Sequence, residues 1–129
     1  MNKVVVHYAD GSIQKGYTND FSINRTTFHL ASIEDHETEI IDIHKLKAVF
    51  FVKDFEGDPE HKDMKDFDDT QAAYVKKYYV LFRDGEEFAG TGMGYHPDKL
   101  GFFLTPCDPD CNTIRAFVNN EFITKIEQI

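Results

Sequence analysis

Val4-Val5-Val6-His7-Tyr8-Ala9-Asp10-Gly11 returns seventy-four residues later as Tyr78-Tyr79-Val80-Leu81-Phe82-Arg83-Asp84-Gly85, and the fold turns on these two stretches. Each is a run of β-branched and aromatic side chains that closes on Asp-Gly. Such runs favour a pleated strand, and the glycine accepts the left-handed backbone of a tight hairpin, so each stretch predicts strand, turn, strand.

The correspondence extends outward in both directions. The same offset carries Gly16 onto Gly90, Phe28 onto Phe102 and Leu30 onto Leu104, with Phe21 on Tyr95, Asn24 on Asp98 and Arg25 on Lys99 as similar pairs. Self-similarity of this kind marks one supersecondary unit used twice. Past Leu104 the second copy needs about three more residues, within 106–112, where the first has 33–38; a turn is where an insertion is tolerated.

Past each hairpin, Ile13, Lys15 and Tyr17 alternate with polar or glycine neighbours, the pattern of a half-buried strand. Gly16 and Gly90 sit inside that strand, which predicts a bend or bulge that curls a short sheet. Thr27-Phe28-His29-Leu30 and Gly101-Phe102-Phe103-Leu104 make a third strand, and Glu39-Ile40-Ile41-Asp42-Ile43 and Arg115-Ala116-Phe117-Val118 a fourth. His44-Lys45-Leu46-Lys47 and Asn119-Asn120-Glu121-Phe122 then have the length of one helical turn before a fifth strand at 48–52 or 124–129.

That order is the order of SH3-like and Sm-like small barrels. The expectation is therefore all-β: two tandem small barrels at 1–53 and 74–129, joined by an acidic linker at 54–73. Asp58-Pro59 is a fitting start for a short linker helix to about Phe67, with Asp as cap and Pro at its first position. Residues 48–52 and 78–82 are apolar on both strand faces, which predicts that both strands line the contact between the copies.

Composition agrees with a packed protein: 129 residues, 41% hydrophobic and 29% charged. Twelve Phe and six Tyr supply the buried area that units of about fifty residues otherwise lack. The longest apolar run, Ala48-Val49-Phe50-Phe51-Val52, is far short of a bilayer span, and Met1-Asn2-Lys3 leads into valines without a signal-peptide layout. A cytoplasmic protein without a membrane partner is expected. The net charge of -9 is concentrated in the linker, where 54–73 carries two Lys/Arg against eight Asp/Glu. The two copies are nearly neutral and lack the basic footprint of a nucleic-acid surface.

Chemistry-bearing residues are sparse. Cys107 and Cys111 have three residues between them and no second Cys/His pair at matching spacing, so they read as two thiols in a loop, and no metal or cofactor is expected. Asp54, Glu56, Asp58 and Glu60 alternate like a calcium loop, but Gly57 is misplaced and the closing Glu is missing. Ser12, Ser22 and Ser32 fall at turns or strand ends, where a hydroxyl serves the backbone. His7, His29, His36, His44, His61 and His96 lack metal-helix spacing; His7 and His29 are placed to face each other on early strands, at positions that are Leu81 and Phe103 in the second copy. Gly90-Thr91-Gly92-Met93-Gly94 lacks the Lys-Ser/Thr ending of a phosphate loop and reads as a bulged strand end.

Lys3-Val4-Val5-Val6-His7-Tyr8-Ala9-Asp10-Gly11, Lys15-Gly16-Tyr17-Thr18-Asn19-Asp20-Phe21 and Leu46-Lys47-Ala48-Val49-Phe50-Phe51-Val52-Lys53-Asp54-Phe55-Glu56-Gly57 resemble an uncharacterised bacterial small-barrel domain family. Phe82-Arg83-Asp84-Gly85, Gly101-Phe102-Phe103-Leu104 and Asp108-Pro109-Asp110 are similar to its C-terminal part. The resemblance implies fold alone, because that family has no assigned activity.

Asp20-Phe21-Ser22-Ile23-Asn24 also resembles part of the second motif of PilZ domains, cyclic-di-GMP receptors built on a small β-barrel. This implies a cyclic-dinucleotide-like ligand held by Asp20 and Ser22, with Arg25 and Lys99 at matching places in the two copies. The chain departs from that pattern in having Arg25 where the motif has Gly and no Arg-x-x-x-Arg among Arg25, Arg83 and Arg115. The leading expectation is a non-enzymatic binding or adaptor module for a protein partner. A small-ligand sensor is the alternative, and self-association as a homodimer is open.

Overall fold

The valine run forms β1 (Asn2–Tyr8), and the chain reverses at Asp10-Gly11 into β2 (Ile13–Thr18). Gly11 takes φ +93°, and the Asp10 carboxylate accepts hydrogen bonds from the Ser12 N–H at 2.8 Å and its hydroxyl at 2.6 Å. The first half continues through β3 (Thr27–Ser32), β4 (Thr38–Asp42), a 3-10 turn (Ile43–Lys45) and β5 (Leu46–Val52). The second repeats this with β6 (Lys76–Phe82), β7 (Glu87–Gly92), β8 (Gly101–Pro106), β9 (Thr113–Asn119), a 3-10 turn (Asn120–Phe122) and β10 (Ile123–Gln128). This computed structural model describes residues 1–57 and 76–129. Among the described residues no helix is long and apolar enough to cross a membrane.

All pairings are antiparallel and link the strands in the order β10-β6-β7-β8-β9-β5-β1-β2-β3-β4. The expected closure of each half into its own barrel does not occur: the described residues form one open ten-stranded sheet with β10 and β4 at its edges. The reason lies at β5. The edge that a closed first barrel would offer to β4 is taken by β9, through Ala48↔Val118, Val49↔Phe117 and Phe50↔Ala116.

Within each half the pairing is shortest where β2 meets β3 and where β7 meets β8, each pair sharing two register positions, Gly16↔Ser32 and Tyr17↔Ala31, and Gly90↔Pro106 and Thr91↔Thr105. The strand glycines serve this approach. A β-carbon on Gly16 would run into the Ala31 carbonyl oxygen, and one on Gly90 would lie 2.7 Å from the Thr105 carbonyl.

Every residue of β5 is buried, because its two faces enter two different cores. Val49 and Phe51 pack with Val4, Val6, Phe28, Leu30 and Ile41 of their own half and with Phe117 from β9. Ala48, Phe50 and Val52 pack with Tyr78, Val80, Phe82, Phe102 and Leu104 of the other half. The two-faced apolarity of 48–52 thus marks the seam. Residues 78–82 meet the seam with one face only: β6 pairs with β7 and β10, and Tyr78, Val80 and Phe82 enter the core shared with Ala48, Phe50 and Val52, while Tyr79 and Leu81 stay half-buried on the other face. Buried Asn119 pins the seam, donating from Nδ2 to the Leu46 carbonyl at 2.8 Å and the Ile43 carbonyl at 3.2 Å.

Residues 54–57 lie against the second half. The Asp54 N–H donates to Asn112 Oδ1 at 3.2 Å, and Asn112 Nδ2 donates to the Asp54 carbonyl at 2.8 Å. The short helix expected from Asp58 lies outside the described residues.

Candidate functional site

Strand alternation puts Val4 and Val6 into the first core, so Val5 and His7 point to the opposite face of β1, beside Phe50 and Val52 of β5. The second half covers that face incompletely. A groove of about 290 Å³ remains, walled by Val5, His7, Phe50 and Phe55 on one side and by Phe88, Ala89 and Pro106 on the other. Its polar rim is Lys15, Glu56, Glu86, Glu87 and Asp108.

Two anchors shape the groove. Phe55 sits edge-on to Tyr17 at 5.3 Å between ring centroids, and its carbonyl accepts from Lys15 Nζ at 2.7 Å. Buried Lys47 reaches from β5 to the β6–β7 turn, with Nζ 2.7 Å from Asp84 Oδ2, 2.6 Å from Glu86 Oε1 and 4.7 Å from the Phe82 ring centroid. The Lys47 ammonium, through its hydrogen bond, holds the Asp84 carboxyl below its usual range. His7 lies edge-on to Phe50 at 4.6 Å. Burial, reinforced by the Lys47 charge, lowers its pKa below the ordinary imidazole value, which favours the neutral ring.

This arrangement can hold an apolar side chain against aromatic rings. Each serine of the described residues is engaged locally: Ser12 bonds Asp10, Ser22 Oγ accepts from the Asn24 N–H, and Ser32 Oγ accepts from the Glu34 N–H. Cys107 and Cys111 are buried, and the Cys111 thiol donates to the Thr113 carbonyl at 3.3 Å. Among the described residues no group of three or more His, Cys, Asp and Glu side chains is placed to hold a metal ion.

His7 and His29 do not face each other. His7 lines the groove, whereas His29 is exposed on β3 opposite Ile40, with Nδ1 2.6 Å from Asp20 Oδ2. Asp20 also accepts from the His29 N–H at 2.9 Å, so its carboxylate serves the β2–β3 connection. Ser22 and Arg25 share that connection through the Arg25 N–H, which donates to the Ser22 carbonyl at 3.2 Å. Lys99 belongs to the β7–β8 connection, where its carbonyl accepts from Asn120 Nδ2 at 2.9 Å. Among the described residues no hydrogen bond or ion pair joins Lys99 to Asp20, Ser22 or Arg25.

The sequence reading passes over Lys47, Phe55 and Phe88. A lysine between Leu46 and Ala48 in an otherwise apolar strand is a signal that a charged partner is needed. Its partners lie 37 and 39 positions away across the seam, beyond any local pattern.

No curated protein and no solved structure matches this chain. The model of a family of unknown function, DUF6982, matches residues 1–129, and the chain belongs to that family.

Proposed function

For a member of a family without an assigned activity, we propose a non-enzymatic binding module that takes up an apolar side chain of a partner protein segment in the seam groove. One observation carries the reading: an open, aromatic-walled recess of about 290 Å³ between two halves of one sheet. Its size is at the lower end of the roughly 300–1,000 Å³ of small-molecule pockets, which suits one anchoring side chain better than a large cofactor. Its rim also disfavours a nucleotide. Lys15 is its single lysine, set among Glu56, Glu86, Glu87 and Asp108, and a polyanion would meet repulsion there. Each half reads as an SH3-like or Sm-like module opened between its fourth and fifth strands.

Peptide display against the intact chain, followed by NMR shift mapping, tests the proposal. The selected peptides should share a large apolar residue, perturb His7, Phe55 and Phe88, and lose at least tenfold in affinity on Phe88→Ala. Peptides that map away from the groove would overturn it. So would native mass spectrometry that finds a small molecule retained there, which would favour the sensor alternative.

A further inference from the structure

The two edges of the sheet differ in chemistry. On β10, Lys125 and Glu127 form an ion pair at 2.7 Å and offset each other. On β4 and the turn before it, Glu34, Asp35, Glu37 and Glu39 are all exposed, and among the described residues none takes part in an ion pair, Glu39 accepting one neutral hydrogen bond from Gln14 Nε2 at 2.9 Å. Ile40 stands in their midst with 69% of its surface open. An edge strand offers a row of unpaired N–H and C=O groups and is ordinarily blunted by lysine, proline or a bulge. Thr38-Glu39-Ile40-Ile41-Asp42 has no lysine and no proline, and β3 pairs with it without a register shift.

We propose that β4 accepts an extended basic segment of a partner protein as an eleventh strand, by β-augmentation. The main chain of that segment would pair with the open edge of β4. An apolar residue would lie beside Ile40, and lysine or arginine at neighbouring positions would face Glu37 and Glu39. Opposite charges and apolar pairs across neighbouring strands stabilise a sheet, so the sequence called for is an alternation of basic and β-branched residues. The seam provides an internal example of the geometry: β9 adds to β5 antiparallel, with Phe117 as its apolar anchor and the Arg115 guanidinium over Phe51 at 4.6 Å. The inference is independent of the groove, none of whose lining residues belongs to β3 or β4.

The test uses the intact chain and synthetic ten-residue peptides of alternating lysine and valine. Isothermal calorimetry should detect the lysine–valine peptide, and binding should fall at least tenfold for a glutamate–valine peptide. Hydrogen exchange should slow at residues 38–42 and not at 123–128. Two further peptides carry N-methyl groups on alternate residues, one in each phase; the phase that blocks the pairing N–H groups should lose at least tenfold. The joint variant Glu37→Lys with Glu39→Lys, both exposed positions, should reverse the preference toward the glutamate peptide. Equal binding by both N-methylated peptides would reduce the contact to charge attraction and overturn the proposal. Protection at β10, or no detectable binding by the lysine–valine peptide, would also overturn it.

Discussion

Lys47 Nζ lies 2.7 Å from Asp84 Oδ2, joining the two halves across the seam through a cation whose side chain is 6% exposed and an acid that is 45% exposed. The burial is asymmetric, and so are the consequences of breaking the contact. Removing the acids, with Asp84→Asn and Glu86→Gln together, leaves a buried ammonium without an anion and should cost about 3 kcal/mol. Lys47→Met removes the buried charge and leaves two carboxylates that water can reach, so it should cost about 1 kcal/mol or less. Urea unfolding of both variants at pH 7 checks the order.

His7 and Asp84 make stability fall in two separate acid ranges. The unfolded chain takes up a proton on His7 near pH 6.5, the ordinary imidazole value, whereas the folded chain resists it to lower pH because the ring is buried and close to Lys47. The unfolded state therefore binds more protons as pH drops below about 6.5, and stability declines until the folded pKa is passed. Asp84, depressed by Lys47, contributes stability that is full above about pH 4 and is lost below it. Urea midpoints measured between pH 7.5 and 3 should show both declines. His7→Leu, which installs the residue found at the corresponding Leu81, should abolish the upper decline and leave the lower one.

Much of the fold was legible because it is written in local pattern. The Asp-Gly hairpins, the strand glycines and the apolar fifth strand lie within a few residues of what they cause. Closure was not legible. Whether β5 pairs with β4 or with β9 depends on partners more than sixty positions apart in the chain, and 78–82 has the same two-sided apolarity as 48–52 but brings only one face to the seam. For the same reason Asp20, Ser22 and Arg25 could be placed in one connection from sequence, whereas the approach of Lys47 to Asp84, and of Phe88 to Phe50 at 6.3 Å, could not.

Phe117 and Ile40 occupy corresponding places: Phe117 pairs with Phe103, the counterpart of His29, with which Ile40 pairs. Their surroundings are opposite, with Phe117 at 1% exposure inside the first core and Ile40 at 69% on an edge. Phe117→Ala should cost about 3–5 kcal/mol, the range for a large aromatic residue removed from a packed core. Ile40→Thr should stay within about 0.5 kcal/mol, as surface changes do. Thermal unfolding of the two variants would separate a seam that holds both halves together from an ordinary strand contact.

Gly16 and Gly11 predict two different costs for the same added methyl group. At Gly11 there is open space, but φ is +93°, so Gly11→Ala carries backbone strain alone, about 1–2 kcal/mol. At Gly16 the backbone is ordinary and the space is not: the new carbon would meet the Ala31 carbonyl oxygen and the Leu30 side chain, 2.8 Å from its Cδ1. The Ala31 oxygen belongs to a backbone carbonyl that pairs with β2, so relief requires β2 and β3 to part at their two shared register positions. Gly16→Ala should therefore cost about 2–3 kcal/mol, the upper part of the range for overpacking. Hydrogen exchange would also distinguish them, since Gly16→Ala should speed exchange at Tyr17 and Ala31, whereas Gly11→Ala should leave those amides protected and act on the hairpin.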